Sequence, residues 1–158
     1  MSIKKYTSTG EKASSNWILK PEKDYYTHDE LIDAYLKGKE AQKNENKKIL
    51  IEKLEANLKQ AQDIVENLVE EIRNKGFKIY KSYLRINNIV KFDAIFDVSV
   101  EDYTSDAFDE IYEKGQEIKK TVNSDTFHLN LIYMPHTENL NEESVVCDGF
   151  IFSYEKRL

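Results

Sequence analysis

The sequence predicts an α+β protein in which a long N-terminal helix precedes a ββαββ unit, the four strands forming one sheet with a helix on one face. Three observations carry this expectation. From Ile51 the apolar residues recur in alternating steps of three and four, the period drops to two after Gly76, and one further helical stretch interrupts the alternation midway. The 158 residues, 40% hydrophobic and 33% charged, suit one globular core with appendages.

Residues 1–27 read as an arm. They are rich in Ser, Thr, Lys and Gly, carry five Lys against three acids, and show no apolar period. Such a segment cannot bury enough surface to offset its ordering entropy. Trp17, Ile18 and Leu19, followed by Tyr25 and Tyr26, form an apolar patch within it that suits a docking peptide or a fold-back onto the same chain.

Residues 28–76 read as a long helix. Asp29 and Glu30 occupy its first turn and Gly76 follows Arg73 and Lys75 at its end, as the helix dipole and a glycine stop require. From residue 49 onward it is coiled-coil-like. Ile51, Leu54, Leu58, Ala61, Val65, Leu68 and Ile72 hold the a/d heptad spacing for three heptads. Leu31, Ile32, Tyr35 and Leu36 form a separate patch upstream, and Gly38 with the polar run at 43–48 marks a kink, loop or solvent-spanning stretch between the two. The heptad stripe has three outlets: the chain's own sheet, a second copy, or a foreign partner.

Residues 77–158 read as the compact ββαββ domain. A first strand at 77–86 leads into Asn87-Asn88, a pair that tolerates left-handed backbone in a tight hairpin turn. Val90, Phe92, Ala94, Phe96, Val98 and Val100 then alternate with a mostly polar set. A helix from about 105 to 122 places Phe108, Ile111, Tyr112, Gly115, Ile118 and Val122 on one face. Phe127, Leu129, Leu131 and Tyr133 alternate in a third strand that stops at Pro135, and a fourth runs from about 145 to 154, as the third strand's hairpin neighbour. The second helix crosses between the two hairpins. With the first helix on the same face, this order is that of a ferredoxin-like fold whose first strand has moved to the end.

The chemistry-bearing residues form no strong local motif. No Walker loop, GxGxxG, HExxH, GxSxG or EF-hand loop is present, so no catalytic residue, metal ligand or cofactor is assigned. The single Cys147 permits no internal disulfide and no multi-cysteine zinc site. Asp93 and Asp97 share a strand face with Lys91 and Ser99, but four residues along a strand is roughly 13 Å, too far for one ion to bridge. His128 and Asn130 lie on the third strand, and Cys147 and Asp148 on the fourth; a Cys and His within reach would begin a thiol nucleophile. His136 reads as a solvated loop residue and His28 as a helix-start residue.

Charge sets the remaining bounds. The net charge of -6 and only three Arg argue against nucleic-acid partners. No apolar run approaches the ~18 residues of a membrane span, and the N-terminal residues lack an export signal's apolar core, so a soluble cytoplasmic protein is expected. Nine acids between Asp93 and Glu117 are offset only by Lys114, which makes the sheet domain the acidic part. The leading expectation is a non-enzymatic interaction or assembly protein that self-associates as a homo-oligomer, or docks on another protein, through Trp17 and the stripe residues Leu54, Leu58, Val65, Leu68 and Ile72. Two alternatives stand beside it: a small hydrolase or nuclease using the open sheet face, and an acidic inhibitor or decoy that binds a basic protein.

Overall fold

The computed structural model describes residues 16–19 and 44–155. In chain order these form β1 (Trp17–Leu19), α1 (Asn44–Asn74), β2 (Ile79–Ile86), β3 (Lys91–Val98), α2 (Val100–Tyr103), a 3-10 turn (Asp106–Phe108), α3 (Asp109–Val122), β4 (His128–Pro135), α4 (Glu142–Cys147) and β5 (Phe152–Tyr154). The strands build one mixed sheet in the order β1-β5-β2-β3-β4. All neighbours are antiparallel except β3 and β4, which run parallel.

The heptad stripe makes α1 a helix that covers a flat apolar surface. Leu54, Leu58, Ala61, Val65, Leu68 and Ile72 are each at most 2% exposed and join one core with Leu84, Phe92, Ala94, Phe96 and Leu129 from the sheet's inner face. Each of the Val, Leu, Ile and Phe side chains among them contributes about 1.5–3 kcal/mol on full burial. The helix ends where Gly76 takes φ 91°, its N–H bonding the Arg73 carbonyl at 2.9 Å while the Phe77 N–H bonds the Ile72 carbonyl at 3.2 Å. That pair of bonds satisfies carbonyls the last turn leaves over.

α3 lies on the same inner face. Ile111 and Gly115 are its buried residues, Gly115 sits directly over Leu131 and Tyr133, and Lys75–Glu110 and Lys114–Glu71 ion pairs tie its flank to α1. The result is two helices on one face of the sheet and a single shared core. On the outer face, residues 142–150 fold back over β2: Glu142 pairs with Lys81, and the Asp148 carbonyl and the Phe150 ring both meet Arg85.

Several expectations change. The sheet has five strands, not four, because the arm's Trp17–Leu19 adds to its edge as β1. The last strand is only Phe152–Tyr154; the residues before it form α4, started by Asn141, whose side chain accepts from the Glu143 N–H at 2.9 Å. This short β5 pairs with β2 and β1, never with β4, so no second hairpin forms and the permuted ferredoxin-like order is not realised. The 105–122 helix begins instead as a 3-10 turn and continues as α3, after a separate α2 capped by Ser99. The Asn87-Asn88 turn uses no left-handed backbone: among the described residues only glycines have positive φ, and Asn88 closes the loop by accepting from the Val90 and Lys91 N–H groups. The expected helical start at 28–43, with its Leu31 patch and Gly38 break, and the arm apart from 16–19 lie outside the described residues.

Candidate functional site

The residues expected to meet a partner are occupied inside the chain. Trp17 is 1% exposed, donates its indole N–H to Glu66 at 2.8 Å, and lies 5.4 Å from the Tyr154 ring. Leu54, Leu58, Val65, Leu68 and Ile72 pack on the chain's own sheet. A three-four spacing fits a partner helix and an apolar sheet equally well, and here the sheet takes it. None of the six presents its side chain outward.

The outer face of the sheet carries the polar clusters. Arg85 and Asp93 are cross-strand neighbours and ion-paired, and the Asn87 amide also donates to Asp93 at 2.8 Å. Burial pushes the Asp93 carboxyl upward, but the Asn87 amide and the Arg85 guanidinium outweigh it and hold the group below its ordinary range. Lys81 sits between Glu142 and Glu155; burial works against its charge, yet the two carboxylates keep it above its ordinary value. Beside it, burial pushes the Tyr83 hydroxyl up to about 12.

Asp97 does find an imidazole, though not the expected one. His136 Nδ1 lies 2.9 Å from the buried Asp97 carboxylate, and the His136 ring stacks on Tyr80 at 3.6 Å. The carboxylate fixes the imidazole's orientation, which is the first requirement of a general base. The rest of a hydrolytic site is not assembled around it. No hydroxyl or thiol among the described residues is hydrogen-bonded to His136, and no group of three or more His, Cys, Asp or Glu among them could hold a metal ion. His128 is exposed at the start of β4 and Cys147 is exposed on α4, so they do not share a hairpin. The acids from Asp93 to Glu117 also divide. Asp93, Asp97 and Glu110 are individually paired and Asp102 accepts from Ser99, while Asp109, Glu113 and Glu117 lie exposed at i, i+4 spacing along α3.

The feature with an unmet bonding capacity is the outer edge of β4. The His128 N–H bonds the Val90 carbonyl at 2.7 Å and the His136 N–H bonds the Val98 carbonyl at 2.7 Å. In a parallel ladder alternate residues bond the same neighbour, so 128, 130, 132, 134 and 136 turn their main-chain groups toward β3. Residues 129, 131, 133 and 135 turn theirs away. Asn123 satisfies Leu129, accepting from its N–H at 2.9 Å and donating to its carbonyl at 3.2 Å. Pro135 has no N–H to offer. Among the described residues no hydrogen bond reaches the N–H and C=O of Leu131 and Tyr133, which lie between two blocked ends.

The side chains along this edge do little to protect it. Leu131, Ile132, Tyr133 and Met134 are all half-buried, the pairing with β3 is regular, and β4 carries no Lys or Arg. Edges are ordinarily blunted by charges, bulges or cover. Sequence reasoning missed this edge because it gave β4 a hairpin neighbour; the one signal available was Pro135, which fits an edge strand better than a central one.

No family model, no curated protein and no solved structure matches the chain. No helix among the described residues is long and apolar enough to cross a membrane.

Proposed function

We propose that the chain is a non-enzymatic interaction protein that acts by accepting an extended strand along the open edge of β4. The observation that supports this most is the open pair itself: main-chain groups of Leu131 and Tyr133 without a partner among the described residues, in the apolar middle of an eight-residue strand whose ends are closed by Asn123 and Pro135. Strand addition to such an edge draws affinity from main-chain bonds and selectivity from flanking side chains. Four bonds at a net 0.5–1.5 kcal/mol each give about 2–6 kcal/mol before any apolar burial. The interaction surface is thus backbone, and the apolar stripe and Trp17 serve to hold the sheet that presents it.

Amide exchange on the dilute full chain tests the reading. The Leu131 and Tyr133 amides exchange fast, the Leu129, Ile132 and Met134 amides slowly, and a synthetic peptide with the sequence of residues 128–135 slows the first pair. Slow exchange at Leu131 and Tyr133 in the dilute chain without peptide would show that the edge is already occupied and refute the proposal.

A further inference from the structure

We infer that the strand which fills this edge is the β4 of a second copy of the chain, antiparallel to the first about a two-fold axis through Ile132. The inference rests on the reading of β4 as a binding edge and names its occupant. In an antiparallel ladder, residues whose main-chain groups face each other exchange two hydrogen bonds. Centring the axis on Ile132 sets Leu131 opposite Tyr133 of the partner subunit, and Tyr133 opposite Leu131 of the partner subunit. All four open groups on each copy are then used. Centring on Leu131 would set Tyr133 against Leu129, which Asn123 already satisfies, and centring on Tyr133 would set Leu131 against Pro135, which has no N–H. Among the two-fold registers, one satisfies the edge completely. A self-complementary patch of this kind is what an isologous dimer requires.

Gly115 of α3 lies over Leu131 and Tyr133, so the midpoint of α3 stands close to the axis and the two copies of α3 approach antiparallel. On the outer face the half-buried Ile132 meets its own copy.

Sedimentation of the full chain over a wide concentration range, with exchange at Leu131 and Tyr133 as the local readout, tests this. The wild-type chain dimerises, and both amides slow as the dimer fills. Ile132→Lys sets like charges directly opposite each other and raises the dissociation constant ~10-fold or more, with the circular dichroism of the folded chain retained. A chain that stays monomeric at every concentration, yet whose edge amides still slow on adding the 128–135 peptide, overturns the second-copy occupant and leaves the edge reading standing. A dimer indifferent to Ile132→Lys overturns the register.

Discussion

Gly115→Ala should reverse the sign that helix propensity assigns to it. In a helix interior, Gly to Ala gains about 0.8–1.0 kcal/mol. At this position the new Cβ would lie 2.7 Å from the Tyr133 hydroxyl oxygen and 3.4 Å from Leu131 Cδ1. Tyr133 has little room to yield: its ring is stacked 5.2 Å from Phe96 and held edge-on by Phe108 at 5.7 Å and Tyr112 at 5.0 Å. Overpacking of this kind costs typically 1–3 kcal/mol, so the variant should lose up to about 2 kcal/mol after the propensity gain is counted.

The hydroxyl is also the control. It is buried without a hydrogen-bond partner among the described residues, and burial pushes its pKa above the usual tyrosine range. Tyr133→Phe therefore removes an unsatisfied group and is expected to be neutral or mildly stabilising. In that background Gly115→Ala meets only ordinary contacts and should stabilise by about 1 kcal/mol. Urea unfolding of the four proteins of this cycle, with m unchanged, should give a coupling of about 1–3 kcal/mol. If Gly115→Ala stabilises the chain with Tyr133 in place, the close approach of α3 to β4 is wrong, and the placement of the α3 midpoint over Ile132 falls with it.

Leu58→Ala should destabilise the chain by about 2–5 kcal/mol, because a buried core side chain is lost, while leaving the dimer dissociation constant unchanged once folded; a variant that dissociates without losing stability would return the stripe to an interface. Trp17→Phe should cost about 1.5–3 kcal/mol, the worth of a hydrogen bond to a carboxylate, and Trp17→Ala about 3–5 kcal/mol, both read from unfolding midpoints; no difference between them would mean β1 detaches in either case. Asp93 titrates below its ordinary range in the folded chain, so its stabilisation is present above the unfolded pKa of about 3.9 and is lost as pH falls through the folded value. Asp93→Asn should lower stability at neutral pH and flatten the acid limb of the stability profile, and an unchanged acid limb would contradict the Arg85 and Asn87 account. His136→Ala should speed exchange at the end of β4 and in residues 136–141 without altering dimerisation, because the Asp97 pair ties that loop to the sheet.

The parts of this fold legible in the sequence are those set by side-chain period. The stripe from Leu54 to Ile72, the alternation of Phe92, Ala94, Phe96 and Val98, and the stop at Gly76 each carry a local signal strong enough to fix an element and its buried face. Long-range choices were not legible. Val145 and Val146 read as strand residues, but Asn141 with Glu142 and Glu143 is a helix start, and that cap prevails over two β-branched residues. Trp17 could dock anywhere apolar, and only the assembled sheet shows that Tyr154 and Glu66 await it. His136 looked solvated because its partner Asp97 is thirty-nine residues away in sequence.

The candidate site follows from one of those long-range choices. β4 alternates, with Leu129, Leu131 and Tyr133 on its inner face, and nothing in that period tells a central strand from an edge. Its exposure as an edge depends on where the chain's last strand goes. Had residues 145–154 returned beside β4, the Leu131 and Tyr133 groups would be paired and the sheet closed on that side. Asn141 instead starts α4, the Glu142–Lys81 and Phe150–Arg85 contacts draw the chain back over β2, and only Phe152–Tyr154 remain extended, beside β2 and Trp17. With those three residues laid on the far side of the sheet, the outer edge of β4 has no strand neighbour among the described residues, its ends stopped by Asn123 and Pro135 and its middle open. The side chains that looked made for a partner hold the core together, and the proposed binding edge consists of main-chain atoms that no hydrophobic pattern records.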